Sequence, residues 1–466
     1  MVPVLVLFVV LPLARLAVPP GADMAMHAAL ARGLLNDGGT LSPAWGSVTV
    51  PLYPRGFSAL IALLSLPFGM ARAALIASGL AYAVYLVGAR QLLLHVTDER
   101  RAQAAALLSL LVAKAPQRFY GFGANPTALA IGLAMLGMGA TLVRPGDGTK
   151  RRALSSSLLL LGAVATHPIG AAVGVVAGAA ISLSVSRRRQ HIWIRGLSAS
   201  LLPACALLAL LSRFGPRLSE REAVWIVDYQ RAQESVLRGP EWAFPISIVT
   251  ALPRAAGDLF TLLFTLAALL ALRTAEGRGR LLRAWLALVL IGATLVVGGK
   301  LPGGKLLMYQ DRFVPAMVMA VLPLVIHVAT DRLRRFPRAE FVLALLLFAL
   351  GTFRHFDWVQ KQLPIATRAD LRMLERIEQQ VPAGATIDGA YGDATQWVPA
   401  IAGRAVTRPH THISLEDEVR AALEGKQATY WLVGERLRYP PAGDPPPPDA
   451  RPIHREGRAV LYFRPE

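Results

Sequence analysis

Long stretches with almost no charge are the feature that most limits what this chain can become. Leu197–Leu211, Leu259–Leu272, Trp285–Val297, Phe313–Ala329 and Phe341–Leu350 are nearly continuous apolar runs. A hydrocarbon core of ~30 Å takes roughly 20 such residues per helix, and tilt or flanking residues complete the shorter runs. With 54% hydrophobic and 17% charged residues over 466 positions, the whole is not an ordinary soluble domain. The expectation is an all-α polytopic membrane bundle.

The charge pattern supplies an orientation. A net charge of +19 in a soluble protein would point first to nucleic acid. Here the basic residues sit in short clusters between apolar runs: Arg144 with Lys150–Arg152, Arg187–Arg189 with Arg195, Arg273 with Arg278, Arg280 and Arg283, and Arg332 with Arg334, Arg335 and Arg338. That is a positive-inside pattern, and it argues against a nucleic-acid partner. With these clusters and the Asp98–Arg101 turn in the cytoplasm, the segments outside are Pro19–Arg55, Lys114–Asn125, a tight turn at His167–Pro168, Arg213–Pro253, Gly298–Arg312 and everything after about Thr352. This gives about eleven transmembrane helices. Gly56–Gly69 would break the parity if it crossed, and fourteen residues rise only ~21 Å, so it is read as a re-entrant or interfacial helix.

Val2–Val18 lacks a basic leader and a small-residue cleavage site, so it reads as a retained first helix with a cytoplasmic amino terminus in an inner (plasma) membrane; a cleaved signal is the alternative. The single cysteine, Cys205, lies in an apolar run and excludes an intrachain disulfide.

Composition changes after residue 353, which divides the chain into a bundle, 1–353, and a small carboxy-terminal α/β domain, 354–466, on the extracytoplasmic side. Asp370–Gln380 reads as an amphipathic helix stopped by Pro382–Gly384. Strand-like runs follow at Ala385–Asp388, Thr429–Val433 and Ala459–Phe463, with a second helix over Ser414–Leu423 and a proline-rich loop over Pro440–Pro448. His410 and His412 with Glu416 and Asp417 are too poorly spaced to specify a metal site.

Chemistry-bearing residues gather in the outer segments. In Pro19–His27, a helix starting after the glycine puts Asp23 and His27 four apart on one face, a carboxylate and an imidazole able to bind a metal or act as a base with its orienting partner. The plain alternative is a helix cap and an interfacial histidine. Tyr53-Pro54-Arg55 enters the interfacial helix, with Arg55 at headgroup depth facing a phosphate or merely snorkelling. The glycine-rich turn Tyr120–Asn125 permits close backbone approach to a ligand, or is a simple turn. Gly298–Arg312 carries Asp311 and, against the positive-inside rule, Lys300, Lys305 and Arg312, as expected where an anionic lipid headgroup needs balancing or where ordinary acidic lipid binds. Asp258 and His167 stand near the same rim.

This order of features resembles the GT-C superfamily of polytopic glycosyltransferases. The resemblance lies in Asp23 directly after the first helix, in the Tyr-Pro-x-Gly-Phe entry at Tyr53–Phe57, in Tyr309–Phe313 before a late span, and in a carboxy-terminal outer domain. Asp370–Arg404 is also similar to the tails of bacterial members. The resemblance implies that Asp23 is the catalytic position, activating an acceptor hydroxyl or helping to hold a divalent metal, and that Lys305 and Arg312 neutralise the donor's lipid phosphate. From the residues themselves, His27 is the candidate catalytic partner of Asp23, and Arg55, Tyr53, Asn125, His167, Asp258 and Lys300 are the further candidate substrate contacts. The implied partners are a polyprenyl-phosphate sugar, an envelope glycan, lipid or protein acceptor, and membrane lipids. Met24 follows Asp23 where many members carry a second acid, which keeps a non-catalytic assembly role in view. A transporter or flippase should carry mid-span charges and a repeated half, and neither is present.

Overall fold

A computed structural model describes residues 5–21, 23–36, 54–111, 119–121, 123–141, 149–185, 258–300, 310–333, 337–361, 365–390, 393–407, 428–435 and 446–464. The first helix, α1 (Val6–Arg15), opens with a π turn. It is followed by α2 (Asp23–Asn36), α3 (Gly56–Phe68), α4 (Met70–Leu93), α5 (Glu99–Leu111), α6 (Asn125–Thr141), α7 (Thr149–Thr166) and α8 (Pro168–Ser182). After these come α9 (Asp258–Ala271), α10 (Ala275–Lys300), a 3-10 turn at Gln310–Phe313, α11 (Val314–Leu333) and α12 (Pro337–Lys361).

The centre of the bundle is α6, which is apolar on all sides and almost wholly buried. Lipid tails give helices no hydrophobic reason to associate, so close packing must come from small residues that let backbones meet. The sequence supplies them. Gly170, Gly174 and Gly178 recur at four-residue spacing along α8, and a Cβ on them would lie 2.7 Å from Thr127 O, 2.5 Å from Ala134 Cβ and 2.7 Å from Met138 Cε. On the other side of α6, a Cβ on Gly88 would stand 2.4 Å from Gly132 O, and one on Gly132 would stand 2.6 Å from Tyr85 N. These pairings advance together along both chains, so α4, α6 and α8 run parallel and begin at the same end of the bundle. In contrast, α7 runs back between α6 and α8, its Ser156 hydroxyl donating to Gly137 O at 2.8 Å.

Gly132→Val is therefore expected to destabilise the bundle by at least ~1–3 kcal/mol, because the displaced atoms are backbone. Gly162→Ala, whose added methyl would meet nothing nearer than 3.9 Å, should melt no lower than wild type. Thermal unfolding in detergent checks the pair, and equal midpoints would contradict the packing.

The outward faces are the reverse of those in a soluble protein. On α10 the small Ala284 and Ala287 face inward while Leu282, Leu286 and Leu290 are exposed, Leu282 to 70%. Exposed leucines line α9 (Leu262, Leu266, Leu269) and α12 (Leu345, Leu346) as well. A belt of this extent suits a lipid environment. Among the described residues, two helices, α4 and α11, are long and apolar enough to cross a bilayer unaided. Five further apolar helices among the described residues have 10–17 residues, and the expected count of about eleven crossings is not confirmed by helix length.

The placement of α3 follows from its two ends. Gly56 abuts Thr166, where a Cβ would lie 2.7 Å from the hydroxyl, and this is the end at which α8 begins. After Phe68 the chain turns at Gly69, φ 75°, into α4, which starts at the same end. So α3 returns the chain to the end it entered from, with Leu63 and Leu66 exposed along its length.

The helix α12 continues to Lys361, past the 353/354 boundary drawn from composition. Beyond it, α13 (Arg368–Gln380) begins with a reciprocal capping box between Thr367 and Asp370. It packs on a sheet made of β1 (Thr386–Gly389), β2 (Ala405–Val406), β3 (Tyr430–Val433), β4 (Arg451–Glu456) and β5 (Ala459–Phe463), with a 3-10 turn at Ala394–Trp397 and α14 (Val398–Ile401) inserted after β1. The order is β2-β1-β3-β5-β4, with β1 parallel to both neighbours and the other pairings antiparallel. Ser414–Leu423, His410, His412 and Cys205 lie outside the described residues. Arg32 of α2 holds this domain to the bundle, pairing with Glu378 at 2.7 Å and donating to Ile401 O at 2.5 Å, while Arg368 donates to Ala14 O at 2.6 Å.

Two buried carboxylates tie the end of β3 to the helices: Asp393 accepts from Thr395 N and Gly434 N, and Asp370 accepts from Glu435 N. Burial raises both, Asp393 to about 6. The folded domain therefore holds a proton that the unfolded chain releases near pH 4, so its stability falls as pH rises from about 4 to about 6. For Asp393 alone the change is ~3 kcal/mol. Asp393→Asn should flatten that slope in melting curves of the full chain while lowering the midpoint, since one amide oxygen replaces two acceptors.

Candidate active site

At the end where α6 and α8 begin, five chain segments meet. The first is the start of α2, where Gly21 takes φ 94° and the helix opens on Asp23. Asp23 is half-buried and His27, one turn on, is buried. Gly123 fits against this turn: its φ is 82°, and a Cβ there would come 3.3 Å from Asp23 Cβ and 3.2 Å from Met24 N. The close approach that the glycine-rich turn allows is thus to the backbone carrying Asp23.

From α3, Ser58 Oγ lies 3.3 Å from His27 Nδ1, and the Phe57 ring meets the imidazole edge-to-face at 5.6 Å. Arg55 precedes the same helix and is half-buried. Gly56 then rests on Thr166, the last residue of α7. The next residue, His167, caps α8: Gly170 N donates to its Nδ1 at 3.0 Å, with Pro168 in the first helical position, where its missing N–H costs nothing. The fifth segment is the 3-10 turn before α11, which brings Arg312 Nη1 to 2.8 Å from His167 Nε2.

That last contact has a chemical consequence. A guanidinium has donors only, so at 2.8 Å its contact with the imidazole is one that fixes Arg312 in place. Its N–H groups directed away from the ring suit an oxygen with negative charge.

The architecture has counterparts among solved proteins. ArnT from Cupriavidus metallidurans, solved in the apo state and bound to undecaprenyl phosphate, matches with a TM-score of 0.56 and 14% identity over 98% of this chain and 96% of that one. The chain has the GT-C fold. The oligosaccharyltransferase of Archaeoglobus fulgidus, solved in complex with Zn and sulfate, matches with a TM-score of 0.50 and 13% identity, covering 92% of this chain and 66% of that one. No protein-family model and no curated protein sequence matches.

Within this GT-C fold the rim is electrostatically biased. The amino termini of α2, α3, α6, α8 and α11 gather at one end, each offering the positive end of a helix dipole. The opposite end holds Arg273, Arg278, Arg280, Arg283 and Arg332, where Glu276 of α10 meets His327 of α11 at 3.8 Å. Lys300 ends α10, and Asp258 starts α9 across the hairpin, so both mark helix ends on the site side. Tyr53 and Lys305 lie outside the described residues. Asn125 is fully buried, accepting from Tyr82 OH at 2.9 Å and donating to Ser78 Oγ at 3.0 Å, so both ends of its side chain are used in joining α4 to α6. Ser58 and Thr166 belong to the site and were missed in the sequence, where they are lone hydroxyls in apolar runs with no periodic signal.

A metal would need a fuller donor set than these residues present. Asp23 and His27 are two candidates, and no group of three His, Cys, Asp or Glu side chains able to hold an ion exists among the described residues.

Proposed function

We propose that this protein is a membrane glycosyltransferase that moves a sugar from a polyprenyl-phosphate-linked donor to an envelope glycan, lipid or protein. The observation that carries the reading is the His167–Arg312 contact at the same rim as Asp23, joined to it through the Gly56–Thr166 and His27–Ser58 contacts. Asp23 takes the proton of the acceptor hydroxyl as its oxygen bonds to the anomeric carbon, and the bond from that carbon to the phosphate oxygen breaks. The negative charge left on the lipid phosphate is met by Arg312, which His167 holds in place, and by Arg55, with Lys300 and Lys305 on the same connection as Arg312. His27, steadied by Ser58, orients the acceptor side. The undecaprenyl phosphate in one ArnT structure and the acceptor peptide tethered to one oligosaccharyltransferase structure support partners of this kind. The basic clusters at the far end support a rim that faces away from the cytosol, with the carboxy-terminal domain on that side.

The test is direct. Purified protein in nanodiscs is given labelled polyprenyl-phosphate sugars, and release or transfer of the sugar is followed. Turnover of at least one donor is expected; a protein that neither transfers nor hydrolyses any donor it binds overturns the reading.

A further inference from the structure

A cavity lies at the other end of α2 from Asp23. It has a volume of about 580 Å³, within the usual range for small-molecule sites, and sits between the end of α2, the α3–α4 corner and α13 of the carboxy-terminal domain. Its charged walls are Arg32 and Arg72 on the bundle side and Glu375 and Glu378 on the domain side. Arg32 is occupied with Glu378 and Ile401 O. Arg72 and Glu375 are both exposed, and among the described residues neither forms an ion pair. A guanidinium and a carboxylate therefore face one cavity without neutralising each other.

A simple anion in this cavity would meet the glutamates, and a simple cation would meet Arg72. A molecule with both charges suits both walls. The approach is apolar: Leu63, Leu66 and Phe68 are exposed along α3 and lead into the cavity at Phe68, Leu66 to 71%. We propose that this cavity holds the headgroup of an aminophospholipid, its phosphate on Arg72, its ammonium on Glu375 and Glu378, and its acyl chains along α3. A primary ammonium donates three hydrogen bonds to carboxylates, whereas a trimethylated one donates none, so the site should favour ethanolamine over choline. A headgroup seated here would also bridge the membrane surface to α13.

The full chain is delipidated in detergent, incubated with phosphatidylethanolamine, phosphatidylcholine or phosphatidylglycerol of identical acyl chains, and examined by native mass spectrometry. Wild type should retain the ethanolamine lipid several-fold over both others. Arg72→Gln should lose that retention, and Glu375→Gln should bind ethanolamine and choline lipids alike. Both side chains are exposed, so the melting midpoints of the variants should match wild type. Equal retention of the three lipids, a preference for the glycerol lipid, or an ethanolamine preference surviving both substitutions overturns the proposal.

Discussion

Asp23→Asn should lower sugar transfer by roughly 10²–10⁴-fold, the usual worth of a positioned general base. The amide keeps the shape of the carboxylate but cannot take a proton from the acceptor. Asp23 is the first residue of α2, where its charge also favours the helix dipole, so the substitution should cost only ~0.3–1 kcal/mol of stability. Folding and catalysis are thereby separable: the variant should melt near wild type and still bind polyprenyl phosphate, since the phosphate is met by Arg312. The loss should appear in kcat and leave KM for the donor nearly unchanged. Gly123 gives an independent route to the same turn. Gly123→Val, at φ 82° and with only 3.3 Å to Asp23 Cβ, should displace the carboxylate without removing it. Wild-type turnover by Asp23→Asn would remove this residue from the chemistry.

What could be read from the sequence depended on how local the cause was. The start of α2 is a local matter: a glycine free to adopt positive φ, then an acid suited to a helix amino terminus, and the helix opens at Asp23. The His167–Pro168 turn is similar, because proline suits the first helical position and the residue before it is driven from helical geometry. In the carboxy-terminal domain, β1, β3 and β5 lie within a residue of the expected strands; β3 and β5 carry apolar runs, and β1 is buried throughout around Ile387. The edge strand β4, Arg451–Glu456, is mostly exposed and carries no such run, and β2 has two residues, too few for a pattern. Pairings across the bundle were not legible at all. Gly56 meeting Thr166, or Gly123 meeting Met24, depends on which helices are neighbours, and single-chain periodicity holds no record of that. Asn125 shows the same limit: its place before α6 suggested a rim contact, and only the packing of α4 reveals that Tyr82 and Ser78 use both ends of its side chain.

Arg312→Gln is the second substitution expected to act strongly, with a loss on the order of 10²–10³-fold in transfer. The reasoning starts from charge development. As the bond from the anomeric carbon to phosphate breaks, negative charge grows on the phosphate oxygens, and a guanidinium already in place stabilises that state more than the intact donor. Glutamine keeps a hydrogen-bond donor and loses the charge, so kcat should fall, and affinity for the released polyprenyl phosphate should fall with it. Arg312→Lys should recover part of the charge effect but not the planar, forked geometry. A merely structural role for the contact with His167 predicts a different pattern, in which glutamine and lysine differ little and product affinity is unchanged. His167→Ala removes the imidazole that holds the guanidinium and should weaken product binding in the same direction. Because His167 acts through Arg312, the double variant should lose less than the product of the two single losses. Full multiplicativity, or wild-type affinity of Arg312→Gln for polyprenyl phosphate, would separate Arg312 from the phosphate and with it the electrostatic half of the proposed reaction.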